Sequence, residues 1–560
     1  TMPLNHRAAP RRRPRRRLPS LRGEQGFTMI LALGILLVTS LLVAGAFAAV
    51  QGDTTLSRSD LDGKRAYAAA LAGVQDYLGQ LNENAASSAW WQTCANDSAT
   101  NVAVPGTTGE TYSYQPVTTC VTGGAVGTVV NPTVGLLRME FTGKSGNFGA
   151  QRTIVADFRP LSPLSFMWYT VHETEDPQLD PSDCGPTSTG DEYFYSNDAG
   201  KPAQPCWIYW GSNDTVSGPM YTQDQFLVQS GTSPSFGRGS QDLIESHAAT
   251  TSVCVVNNGG SSQPATAACP SGVIQGKSIA NAPLVPLPAD NANLFPDAQK
   301  NGIVLPPGTT TLKLSVSGGN TTATAVTCTS SSSSSCTTTP SFNVSTDPII
   351  YAPNSTTGCA PSYTPTNVTY QQQSSGNFYG ACGDIYVSGT YSTGVTIAAA
   401  DNIVITGSLL NSTDTDGQTQ PTGTATMGLV ANQYVRVYHP VNNPSSQSCT
   451  GSTSNLTIDA AILTLAHSFF VDNFDCGATA TLTIHGAMAQ KYRGAVATSN
   501  SNGNTATAYA KNYNYDDRLR ILLPPYLFDL QDTSWQIVRE TSCSTGLAAG
   551  NSQSCSYQGS

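Results

Sequence analysis

Residues 27 to 50 read FTMILALGILLVTSLLVAGAFAAV, 24 positions without a charged side chain. A helix needs about 20 apolar residues to cross a bilayer, so this run is long enough to span one. The segment before it holds eight arginines (Arg7, Arg11, Arg12, Arg13, Arg15, Arg16, Arg17 and Arg22) against the single acid Glu24. Such a cluster stays cytoplasmic by the positive-inside rule, which sends everything after the run outward. A secretory signal normally has a shorter apolar core closed by small residues. Ala44, Ala46, Ala48 and Ala49 keep that cut-away alternative open.

The leader's eight arginines and one glutamate leave 19 of the 27 basic and 36 of the 37 acidic residues to the remainder, a formal charge of −17. A body of that sign lacks the basic footprint that phosphate binding needs, so nucleic acid is not an expected partner of the main body. Only 11% of the chain is charged, and it is rich in Gly, Ser, Thr and Asn, which favours extended β-structure. After the apolar run, Leu61, Tyr67, Ala68, Leu71, Val74, Tyr77, Leu78 and Leu81 recur at three- and four-residue spacings, with Asp62, Lys64, Arg65 and Asp76 on other faces. The spacing predicts that the helix continues, amphipathic, to about residue 84.

The arrangement Gly26-Phe27-Thr28 ahead of this run resembles the prepilin signal of type IV pilins and pseudopilins. The resemblance implies a basic leader (1–26) removed by prepilin peptidase after Gly26, N-methylation of Phe27, and retention of the helix (27–84) first in the membrane (27–50) and then in a filament core. Major pilins carry Glu at the fifth mature position, where this chain has Leu31, which also spares a lipid-facing helix the cost of a carboxylate. Loss of that Glu resembles PilX-type minor pilins. Segment 214–237, DTVSGPMYTQDQFLVQSGTSPSFG, is similar to stretches of long PilX-type proteins and related exported β-solenoid proteins.

TYSYQPVTTCV, GLLRMEFTGKS and AQRTIVADFRP alternate apolar and polar residues, predicting a small antiparallel sheet in a pilin-like region over 85–162. Strand-like runs then fill 163–530, and between 384 and 496 they return about every 17 to 25 residues, a period suited to stacked β-coils. The fold class expected is mainly β with one long N-terminal helix: a pilin-like helix and small sheet, then a right-handed parallel β-helix, or alternatively a β-sandwich array. Polar insertions are expected at 317–346, as a loop pinned by Cys328 and Cys336, and at 411–426; residues 531–560 read as a disulfide-tied tail.

Fourteen cysteines fall into successive near neighbours: Cys94 and Cys120, Cys184 and Cys206, Cys254 and Cys269, Cys328 and Cys336, Cys359 and Cys382, Cys449 and Cys476, Cys543 and Cys555. With no CxxC and no Cys/His cluster, the pattern predicts local disulfides and an oxidising compartment outside the cytoplasm. Of the six histidines none has metal-binding spacing; His467 and His485 lie in strand-like runs and read as packed. The turn Asp414-Thr415-Asp416-Gly417 resembles the start of a calcium loop but lacks the downstream Glu, and reads as a solvated turn. No metal, cofactor or catalytic residue is assigned.

Asp472, Asp475, Lys491, Arg493, Asp516, Asp517 and Arg518 form a charged set near the C-terminal coils, read as a capping ion-pair network or, alternatively, as the site of a polysaccharide-active enzyme. The aromatics Tyr193, Phe194, Tyr195, Trp207, Tyr209, Trp210 and Tyr221 are either a stacking surface for sugars or buried against the head. The function expected is that of a minor type IV pilin or pilus-associated surface protein with a role in assembly or tip adhesion, not an enzyme. Its expected partners are other pilin subunits, the pilus assembly machinery, prepilin peptidase, the membrane and surface glycans. The location expected is the cytoplasmic membrane before assembly and the cell surface after it.

Overall fold

The computed structural model describes residues 27–84, 96, 98–117, 130–131, 136–146, 149–160, 162–179, 206–212, 214–249, 251–257, 265–266, 268–330, 332–359, 375–441, 453–500, 505–520, 522–527 and 535–543. A single helix, Phe27–Glu83, runs unbroken for 57 residues. Its second half lies against a small antiparallel sheet in the order 99–103, 111–116, 136–144, 151–160, 535–543. Three of these strands coincide with the expected alternating segments.

The helix face that meets the sheet is rotated from the one expected. Val74, Tyr77 and Leu81 are buried as anticipated, but Leu61 and Tyr67 face solvent, and Ala66, Ala69 and Ala70 line the contact instead. Close approach is the reason. Gly143 sits under the helix, and a Cβ there would lie 2.0 Å from the carbonyl oxygen of Ala66. Small residues on both sides let the backbones meet, a preference that hydrophobic ranking of residues misses. Above this seam Tyr77 is ringed by Tyr114, Phe141 and Phe158 at centroid distances of 5.0 to 5.9 Å.

The strand Trp535–Cys543 falls in the segment read as a tail, yet it pairs antiparallel with 151–160 and completes the head sheet. Asn82 near the helix end fastens it: Trp535 N–H donates to Asn82 Oδ1 at 2.6 Å. Everything between residues 161 and 534 is therefore inserted between two neighbouring strands of the head.

The inserted body is mainly parallel. One ladder runs Ile303–Val304, Ile349–Ala352, Val395–Ala399, Met427–Ala431, Leu456–Thr464, Ala480–Arg493, Trp168–Glu175, Met220–Thr222, Leu243–Ser246 and Lys277–Ala280, each parallel to the next. A second joins Thr309–Ser317, Ile385–Tyr391, Ile403–Asn411, Val435–Val437 and Phe469–Val471. A third joins the leading parts of 456–464 and 480–493 to Tyr509–Tyr515, Thr215–Ser217 and Ser235–Phe236. Side chains from all three fill one continuous apolar core. An antiparallel β-sandwich array would not generate these ladders.

The offset between paired strands is less regular than the expected 17 to 25 residues. Ile385 pairs with Ile403, Ile403 with Val435 and Val435 with Phe469, steps of 18, 32 and 34 residues. The polar excursion after Asn411 leaves the ladder between one strand and the next, lengthening the step without disturbing the pairing.

The order of the first ladder differs from the order of the chain. The polypeptide enters the stack at 168–170, builds outward to 277–280, crosses to the opposite end, and coils back from 303–304 until 488–490 pairs with 168–170. Residues 281–302 make the crossing as a strap along the stack. Tyr221 and Tyr169 hydroxyls donate to the carbonyls of Pro283 and Val285, Asn291 Nδ2 donates to the carbonyls of Ala399 and Val430, and helix Leu294–Asn301 packs on 349–352.

The insertion expected as a loop at 317–346 is instead a β-arm. Strands 309–317, 320–328 and 336–343 form an antiparallel meander closed by the disulfide Cys328–Cys336. Alternation of Thr with Ala and Val supplies its period of two, hidden in the sequence by the low-complexity Ser/Thr composition. Disulfides Cys254–Cys269 and Cys359–Cys382 also join near neighbours. Cys206 and Cys476 are disulfide-bonded as well. Cys94, Cys120, Cys184, Cys449 and Cys555 lie outside the described residues, as does the side chain of Cys543.

Candidate functional site

The feature most distinct from an ordinary globular surface is the first half of the long helix. Met29–Ala48 has a mean hydropathy of 2.6 and none of it is buried. Met29, Ile30, Leu33, Ile35, Leu36, Leu41, Leu42 and Phe47 all stand exposed. Leu31, in the position discussed above, is 56% exposed. Two hydroxyls interrupt the run, and both are satisfied within the helix: Thr39 Oγ1 donates to the Ile35 carbonyl at 2.8 Å and Ser40 Oγ to that of Leu37 at 2.9 Å. An apolar surface with its polar groups internally paired is what a hydrocarbon or protein environment accepts and water does not. Gly26, the expected cleavage residue, lies outside the described residues, as do the side chains of Phe27 and Thr28.

The charged set expected near the C-terminal coils does not come together. Asp472 accepts both hydrogen bonds of a buried pair from Arg436 Nη1, at 2.8 and 3.0 Å. Arg493 is wholly buried, 3.4 Å from Glu173 and 3.9 Å over the Trp210 ring, and burial lowers its pKa. Asp516 pairs with Arg518, whose Nη1 also donates to the carbonyls of Thr422, Gly423 and Ala425, and Asp517 pairs with Arg238. Lys491 lies beside the Tyr492 ring, and Asp475 is exposed. The Arg436–Asp472, Glu173–Arg493 and Arg238–Asp517 pairs join distant segments of the chain, whereas Asp516–Arg518 is local.

The aromatics divide differently from either expectation. Trp210 and Tyr221 are buried in the core of the inserted body, with Trp210 edge-on to Trp168 and Phe236, and Trp207 packs with Leu227 and Val255. None of these contacts is with the head. Tyr209 is half-buried, while Tyr193, Phe194 and Tyr195 lie outside the described residues.

Sequence reading missed a second group of buried ionisable residues around Arg436. Asp384 and Asp401 sit side by side, with Asn402 Nδ2 donating to both at 2.9 and 3.3 Å. Desolvation, reinforced by the neighbouring Asp384 charge, pushes the Asp401 carboxyl up to about 7. In its protonated form it donates to Asp384, which favours that form.

Asp414, read as part of a solvated turn, is buried, and the turn folds back onto the ladder. There it meets Asp459 and His485, which are direct neighbours in register on adjacent strands. His485 Nδ1 lies 2.9 Å from Asp459 Oδ1 and 3.5 Å from Asp414 Oδ2. Asp459 Oδ2 accepts from the Asn411 N–H at 2.8 Å. Asp414 Oδ2 has no hydrogen-bond donor. A second grouping, Cys359 and Cys382 with Asp401, offers no thiolates, since the two sulfurs are bonded to each other. The signal for the first trio was a single Asp inside the otherwise apolar strand LTIDAAILTL.

No family model matches the chain, and no curated protein does. Among solved structures the chain is similar to the competence-associated pilin ComZ from Thermus thermophilus, at 12% identity, over 86% of this chain and 97% of that one, with a TM-score of 0.26. Superposition at that score is too loose to define a shared fold.

Proposed function

We propose that this chain is a membrane-anchored, pilus-associated surface protein of the minor-pilin kind, and that its inserted body is a right-handed parallel β-helix that projects as a binding module. One observation carries the reading: an unbroken helix whose first half is apolar and bare and whose second half is clamped to a small antiparallel sheet. That division suits a helix that stands first in lipid and then among the helices of neighbouring subunits. The sequence supports cleavage by prepilin peptidase after Gly26, and Leu31 in place of Glu supports a low-copy subunit over a bulk one.

The solenoid reading is supported by the order in which the chain meets its ladders. The strand Ile403–Asn411 divides, 403–405 staying on the second ladder while Leu409 pairs with Ile458 and so joins the third, and 427–431 falls on the first; 435–437, 456–460 and 461–464 repeat the sequence, as do 469–471, 480–486 and 487–490. Three faces visited in turn are what a coil produces. A structural and binding role, rather than catalysis, is favoured by the way Asp472 and Arg493 are engaged in ion pairs with distant strands and Arg518 ties the Thr422–Ala425 carbonyls to its own turn. Pilin subunits, the assembly machinery and surface glycans are the partners such a protein would meet.

Processing is the decisive test. N-terminal sequencing and intact-mass measurement of the protein from its native membrane should find Phe27, N-methylated, as the first residue. A mature N-terminus near residue 50 would overturn the reading.

A further inference from the structure

Within the stack, Asp414, Asp459 and His485 point one ligand atom each into a common space, all within 4.8 Å of one another. Their side chains are at most 2% exposed. Two buried carboxylates facing one imidazole leave charge uncompensated even if the ring is protonated. Asp414 Oδ2 emphasises the deficit, because it is fully enclosed and accepts no hydrogen bond. A buried polar atom without a partner costs about 1–3 kcal/mol, more when charged, so this position calls for a positive occupant. The nearby cation, Arg518, interacts electrostatically with Asp459 but spends its hydrogen bonds on Asp516 and the loop carbonyls.

We propose that Asp414, Asp459 and His485 form a site for a divalent transition-metal ion of the zinc class. The donor set selects against calcium, which takes six to eight oxygens, while one imidazole with two carboxylates suits zinc or its neighbours. A tetrahedral ion at ordinary Zn–N and Zn–O lengths places its ligands about 3.4 Å apart. The Asp414 to His485 spacing of 3.5 Å already meets that, and the 2.9 Å His485–Asp459 contact has to open by a few tenths of an ångström. When the ion enters, Nδ1 gives up the proton it shares with Asp459, and that proton leaves to solvent. The three ligands belong to successive passes of the chain, so the ion staples the 411–426 excursion and two neighbouring strands together.

Full-length protein in detergent, stripped with chelator and desalted, provides the test, with Zn²⁺ alone as the probe. Calorimetry should show one tight site whose enthalpy depends on the buffer's ionisation heat, and saturating Zn²⁺ should raise the melting temperature by roughly 3–5 °C. Ca²⁺ should give no such shift. Asp414→Asn and His485→Gln should each weaken that site at least tenfold. Because Asn at 414 keeps an oxygen to accept from the Thr419 N–H and removes the charge on the unpartnered Oδ2, the unloaded form of Asp414→Asn should melt no lower than unloaded wild type, separating lost binding from lost fold. Absence of a tight site, or a site that both variants retain, would overturn the proposal. So would an unloaded Asp414→Asn protein that melts well below wild type while wild type ignores Zn²⁺, since the trio would then be an ion triad complete in itself.

Discussion

Asp401 shows how one buried carboxyl couples this fold to pH. Its ordinary value is 3.8, and in the folded chain desolvation and Asp384 raise it to about 7, against the opposing pull of Arg436. A carboxyl with a raised folded-state pKa favours the fold fully below its unfolded value, and that contribution is lost as pH rises through the folded value. The loss runs at no more than about 1.4 kcal/mol per pH unit between pH 4 and 7. Asp401→Asn keeps a hydrogen-bonding group at the position without the ionisation. Thermal melts should therefore find the variant's melting temperature rising relative to that of wild type as pH is raised from 5 to 8; a difference that stays constant, or shifts in favour of wild type, would show that Asp401 ionises freely. Burial of this kind was not legible in the sequence, where Asp401-Asn402 reads as a turn between two apolar runs. The same blindness applied to Asp414, because turn chemistry is local and the folding of that turn onto the ladder is not.

At the scale of elements, what was legible depended on whether the signal was local. The apolar helix was plain, since 24 uncharged residues admit few alternatives, and three head strands showed their alternation directly. Cysteines close in sequence found each other at 254–269, 328–336 and 359–382. The return strand 535–543 was not legible, because its partner 151–160 lies far up the chain and no local pattern announces a pairing. The β-arm was hidden by composition, and its role appears only in the sheet. Strand 309–317 would otherwise end the second ladder with an open row of hydrogen-bonding groups; the arm covers it and presents a last strand, CTTTPSFN, that is polar and carries Pro340. Polar side chains and proline are common protections for an edge. Replacing residues 318–343 with a short Gly/Ser turn should leave the core folded and expose that edge. Sedimentation velocity should then detect self-association absent from wild type, and a monodisperse variant would show that the arm has no protective part.

For the molecule as a whole, the head and the inserted body are linked at the seam between 151–160 and 535–543. Ending the chain at residue 530 removes the last head strand and the Asn82 contact but leaves every strand of the three ladders. Limited proteolysis of that truncation should cut the head region, including the segment around Arg138 to Arg152, far faster than in the full chain. The body's β signal in circular dichroism should persist, since its core is built without head residues. Equal resistance of the head in both forms would mean that the sheet does not depend on its last strand.

The position of that last strand also sets a timetable for folding during synthesis. The helix and the other head strands emerge first, yet the sheet cannot close until some 370 residues later, when 535–543 arrives. Strand 168–170 waits similarly for 488–490. The earliest parts of the chain thus spend synthesis with unpaired edges and are completed by the latest, a state prone to wrong partners. A chain interrupted before residue 535 leaves an unfinished head as well as a shorter protein, which gives cellular quality control a local mark of incompleteness to recognise.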